Sequence, residues 1–154
     1  MDVIAPPAIA SPAAWQAMLD AHDELFEELV PGAWLGVVPR HRTGPDGHRH
    51  STAIAVTPPV PMIVLMREPD RMIAREGEFR GLGTLTADAL FVVGDDGVDA
   101  ALDRPPDAAL RELKRMIRTG AAALFFLRTR RELFESGYEE LFEALGLPVL
   151  GTCR

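Results

Sequence analysis

Cysteine is almost missing from this chain of 154 residues: the one thiol, Cys153, stands beside the last residue. A lone cysteine forms no internal disulfide, and no CxxC spacing is present for a zinc or redox site. Lysine is just as scarce, since Lys114 is the only one among 16 basic residues. Long apolar runs are absent too. The longest, Ala121 to Leu127, is strand-sized and far short of the ~20 residues that span a membrane. The opening Met1-Asp2-Val3-Ile4-Ala5-Pro6-Pro7 has no basic stretch, and it places two prolines where a signal peptide needs its apolar core. The expectation is a cytoplasmic protein without a membrane partner.

Catalytic signatures are also wanting. There is no GxSxG elbow, no Walker A loop and no GxGxxG following a strand. Gly81-Leu82-Gly83 lacks the third glycine and opens no helix. No cofactor is indicated, and an enzyme is not the leading reading.

What is present is ordinary globular material. Hydrophobic residues make up 47% and charged residues 25%, enough apolar surface to exclude a disordered chain. The length suits a single domain spanning 1–154, with an N-terminal arm at 1–10 and a polar, His- and Arg-rich insert at 40–51. A net charge of −7 opposes a dedicated nucleic-acid binder, which normally shows a basic excess. That sum hides an asymmetry. Arg111 to Arg131 contains a single acid, Glu112, whereas acids gather in Asp20 to Glu28 and in Glu132 to Glu143.

Periodicity and punctuation then give an α+β fold. Ser11 as N-cap and Pro12 at the first helical position start a helix. Its apolar stripe runs through Trp15, Met18, Leu19, Phe26, Leu29 and Val30, until Pro31-Gly32 ends it. Ala33 to Val38 and Thr52 to Val56 read as an antiparallel pair around the insert, whose Pro45-Asp46-Gly47 is turn chemistry. Pro58, Pro59 and Pro61 imply a bend or a sheet edge, and Met62 to Met66 a strand buried on both faces. Glu68 to Glu76 reads as irregular, with one helical turn after Pro69. Leu82 to Thr86 and Leu90 to Val93 read as short strands, and Asp95-Asp96-Gly97 as a turn.

The last third is the clearest. A helix spans Asp107 to Arg118 and stops at Gly120; a strand follows over Ala121 to Leu127. Thr129-Arg130-Arg131-Glu132 is a capping box that opens a last helix, which ends at Gly146 before Pro148. Leu147 to Leu150 returns as a strand, and this order favours a parallel, right-handed crossover. The whole is a mixed sheet of about five to seven strands with helices packed on it.

Three constellations could carry function. His41, Asp46, His48 and His50 share the insert; in an extended segment His48 and His50 point the same way and offer two imidazoles to a divalent metal. Against this, Gly44, Pro45 and Gly47 loosen the insert, and the glutamate of a cupin-type pattern is replaced by Ile54. Arg111, Lys114, Arg115 and Arg118 form one helical stripe, joined in sequence by Arg128, Arg130 and Arg131. Arginine suits phosphate or carboxylate because its planar fork is bidentate. Glu132, Glu135, Glu139 and Glu143 form an acidic stripe on the last helix. The bland alternative for both stripes is a solvated helix face. Segregated faces of opposite sign favour contacts between subunits or with a protein partner. The leading expectation is therefore a non-catalytic binding or assembly subunit, a homo-oligomer or a partner-docking protein. A metal-dependent enzyme using the His-x-His insert and a nucleic-acid-binding regulator are the alternatives.

Overall fold

The computed structural model describes residues 9–40, 42–43, 48–94 and 96–147. Five strands form one mixed sheet: β1 (Trp34–Pro39), β4 (Val60–Arg67), β5 (Met72–Phe79), β6 (Ala89–Val93) and β7 (Ala122–Phe126), in the order β5-β4-β1-β6-β7. β1 runs parallel to β6, and the other neighbours are antiparallel. The helices are α1 (Pro12–Ala21), α2 (Asp99–Leu102), α3 (Pro106–Thr119), α4 (Arg130–Glu135) and α5 (Glu139–Ala144). The fold is α+β, and the strand number lies at the lower end of the expected range.

The strands earn two buried faces by alternation. Leu35, Val37, Ile63, Leu65, Phe91 and Val93 pack under the helices, together with Trp15, Leu19, Leu113 and Phe142. Val38, Met62, Val64, Phe79, Leu90 and Val92 fill the opposite face. There the cover is irregular chain, with Ala53, Val56, Leu82 and Leu85 closing over the strands.

Several expectations are corrected. Thr52 to Val56 is not the partner of β1. The insert instead pairs with itself, as β2 (Arg42–Thr43) with β3 (His48–Arg49), and β1 pairs with β4. Met72–Phe79 is a full strand closing a hairpin with β4, because its charged residues face solvent at the sheet edge. Leu82–Thr84 is a 3-10 turn. Pro61 is tolerated inside β4 because it lies past the last β1–β4 pair, Val37 with Ile63, where no ladder donor is required.

The two end helices are shorter than periodicity implies. α1 keeps its Ser11 cap, whose hydroxyl accepts from the Ala14 N–H at 3.1 Å, but stops at Ala21. His22 caps it and turns inward to meet the Pro106 carbonyl at 2.9 Å. The last helix breaks at Gly137, which adopts φ +89°. A Cβ there would collide with the Glu28 carbonyl oxygen, so only glycine allows the two segments to close, with the Val30 N–H donating to the Ser136 carbonyl at 3.1 Å. The capping box at Thr129 is complete: its hydroxyl accepts from the Glu132 N–H at 3.1 Å and its N–H donates to the Glu132 carboxylate at 2.9 Å. Gly120 ends α3 in the left-handed conformation, as its position implied. Leu147 is not in a strand, and the rest of the expected final strand lies outside the described residues. The parallel contact that is described is β1 with β6 rather than a crossover from β7.

Candidate functional site

α3 buries Ala109, Leu113 and Met116 against the sheet, which turns Arg111, Lys114, Arg115 and Arg118 to solvent. With Arg104, Ala108 and Glu112 they line an open cleft of about 440 Å³. Glu112 organises it. Its carboxylate is held bidentately by Arg115, with contacts from Nε at 3.0 and 3.1 Å and a further one from Nη2, and Arg104 stands 3.7 Å away. The Arg115 bond and the two guanidinium charges hold the Glu112 carboxyl below its ordinary range, and the Arg115 guanidinium is shifted up. Arg111, Lys114 and Arg118 make no ion pair among the described residues. Their charge is available to a ligand or a partner.

The other three cations do not join this cleft. β7 separates them from α3, and their charge is largely spent locally. Arg128 sits 3.6 Å from Asp88 and donates to the Thr86 carbonyl at 3.0 Å, while Arg131 pairs with Glu135 at 3.4 Å. Arg130 is exposed.

The acidic stripe is rearranged by the break at Gly137. Glu132 is committed to the capping box, which lowers its pKa through the bond from the Thr129 backbone. Glu28, Glu135, Glu139 and Glu140 instead surround Phe134 and Gly137 in an open cleft of about 340 Å³. Phe134 is 52% exposed, so an aromatic ring stands free within a rim of carboxylates. Sequence periodicity missed this grouping because Glu28 arrives from the far end of the chain.

In the insert, the extended backbone covers His48 and Arg49 and gives way to a 3-10 turn at His50. The metal reading of His48 and His50 rests on side chains that lie outside the described ones. His41 and Asp46 lie outside the described residues. Among the described residues no group of three or more His, Cys, Asp or Glu is placed to hold a metal ion.

Two buried polar features had no signal in the sequence. Asp88 ties three distant segments: its Oδ2 accepts from the Trp34 N–H at 3.1 Å and from the Tyr138 hydroxyl at 2.7 Å, and Arg128 lies beside Oδ1. Tyr138 is fully buried and stacks on Phe142 with centroids 5.1 Å apart. Burial and the Asp88 bond push its phenol far above the ordinary range. A phenol held protonated in this way is a structural tie. Arg67 carries two buried nitrogens, Nε and Nη1, without a hydrogen-bond partner. A cavity of about 40 Å³ lies between sheet and helices, lined by apolar residues such as Trp15, Phe26, Leu113 and Leu141. Water entering it would find no polar partner, so it is a packing gap.

No helix among the described residues is long and apolar enough to cross a membrane. Comparison with known proteins finds no matching family model, no matching curated protein and no matching solved structure.

Proposed function

We propose that this chain is a non-catalytic binding or assembly subunit that docks protein through its two oppositely charged clefts. One observation carries the reading: cations without ion-pair partners on α3 and carboxylates around an exposed ring at α4–α5 occupy separate surfaces of the same molecule. A molecule with both signs on different faces can meet a second copy head to tail, basic cleft to acidic cleft. Phe134 suits the centre of such a contact, because aromatic anchors inside a charged rim are the usual energetic focus of protein interfaces. On the other side, Ala108 lines the basic cleft among the arginines.

The test reverses Arg111 and Arg118 together to Glu and leaves Arg115 with Glu112. Both positions face solvent, so the fold should persist. Chemical cross-linking at low salt should capture wild-type protein with itself or an acidic partner, and the part of that capture which high salt abolishes should fall several-fold in the variant. Equal salt-sensitive capture of both proteins would remove the reading. A labelled oligonucleotide shifted by wild type and not by the variant would replace it with nucleic-acid binding, for which log affinity falls roughly linearly with log salt.

A further inference from the structure

The sheet has two edges, and the chain finishes them differently. In β5 the Glu68 N–H bonds the Arg71 carbonyl, which sets the alternation: Ile73, Arg75, Gly77 and Phe79 face β4, while Met72, Ala74, Glu76 and Glu78 face outward. Gln16 of α1 closes part of that edge. Its carboxamide oxygen accepts from the Ala74 N–H at 2.8 Å and its nitrogen donates to the Met72 carbonyl at 2.9 Å. The amide stands where the peptide of a neighbouring strand would. Beyond it, Glu76 and Glu78 place exposed charge on the edge, a common protection against pairing with another chain.

Among the described residues β7 has none of this. The Gly94 N–H bonds the Ala121 carbonyl at 2.8 Å and the Leu127 N–H bonds the Asp88 carbonyl at 2.9 Å, so Ala121, Ala123, Phe125 and Leu127 face β6. Ala122, Leu124 and Phe126 direct their N–H and C=O groups outward, and no described residue bonds to them there. From Gly120 to Leu127 there is no charge and no proline, and the register with β6 continues without a bulge. Phe125 and Phe126, 40% and 38% exposed, flank the edge on its two faces.

We propose that β7 pairs antiparallel with β7 of a second copy, about a two-fold axis at Leu124. The strand is complementary to itself in this register. Leu124 of one copy faces Leu124 of the other, and each outward N–H meets an outward C=O. On the helix side Phe126 faces Ala122; on the other side Phe125 faces Ala123. Large therefore meets small on both faces of the joined sheet, the arrangement cross-strand packing favours. Charge does not forbid this partner. Two copies each carrying −7 repel overall, and this neutral strand brings no like charges opposite each other. The paired edge is only ~17 Å long at ~3.4 Å per residue. It therefore falls at the small end of stable interfaces, and the dimer is reversible. This contact goes beyond the charged clefts and does not depend on them.

Sedimentation equilibrium over a range of concentrations, combined with residue-resolved amide exchange, tests it. At high salt, where contacts through the charged clefts are screened, the expected result is a monomer–dimer equilibrium that Arg111→Glu with Arg118→Glu leaves unchanged. The outward Leu124 amide should be protected at concentrations where the dimer forms and lose protection on dilution, while the inward Ala123 and Phe125 amides stay protected throughout. Two variants then test the register. One carries Ala123→Glu with Phe125→Glu, the other Ala123→Lys with Phe125→Lys; each alone should be monomeric and the mixture should form a heterodimer. The proposal is overturned by a wild-type protein that is monomeric at every concentration once high salt has screened the cleft contacts. Leu124 protection that survives dilution in the monomer would also overturn it, since the chain would then cover its own edge. So would a dimer that both variants leave intact, or two monomeric, folded variants whose mixture stays monomeric.

Discussion

Tyr138 is the only tyrosine in the chain, which makes its surroundings directly measurable. Its phenol is neutral in the fold and its pKa is raised, first by burial and then by the bond to Asp88. The sign follows from linkage: the unfolded chain releases this proton near pH ~10. Stability from the buried phenol is therefore complete below that pH and declines as pH rises above it. Spectroscopic titration of native protein should show no tyrosinate through the ordinary phenol range, then a rise that coincides with loss of circular dichroism. A normal titration in folded protein would mean that Tyr138 is not buried as described. Tyr138→Phe should cost roughly 2 kcal/mol, the scale of a hydrogen bond to a charged group, read from a denaturant midpoint. Nothing at Asp88 announces this tie in sequence. Its partners Trp34 and Tyr138 lie 54 and 50 positions away, and only the fold brings them together.

At the scale of elements, local chemistry was legible wherever it is self-contained. Ser11, Pro12, Gly120 and the Thr129–Glu132 box each act within a few residues, and each sits where its chemistry implies. Distant geometry was not legible. Periodicity carries the last helix straight through Gly137, because Leu133 and Leu141 do share a buried side. The break arises from the backbone around Glu28, more than a hundred residues earlier. Gly137→Ala should therefore destabilise by at least about 2 kcal/mol, combining a left-handed alanine with a backbone collision. A change below the error of thermal or denaturant unfolding would show that α4 and α5 can join as one helix. β5 escaped for a related reason: Arg75, Glu76 and Glu78 interrupt its alternation, and they are tolerated only because β5 is an edge.

For the whole molecule, charge segregation was legible in sequence, whereas its arrangement was not. The basic run divides into a cleft on α3 and, beyond β7, the locally paired Arg128 and Arg131 with Arg130 exposed. The acidic stripe becomes a cleft only through the Gly137 break, which gathers Glu28 with Glu135, Glu139 and Glu140 around Phe134. Two clefts of opposite sign, one with an exposed ring, are what a docking protein needs, and they are the basis of the assembly reading. The most direct measurement is sedimentation velocity at low ionic strength on two reversed proteins. One carries Arg111→Glu with Arg118→Glu, the other Glu139→Arg with Glu140→Arg. If the clefts dock each other, wild type forms species that salt dissociates within the usual screening range of ~0.1–1 M. Each variant alone should lose that salt-sensitive species, and the swap of both pairs in one chain should restore it. Wild-type behaviour in both variants at every salt concentration would contradict the account.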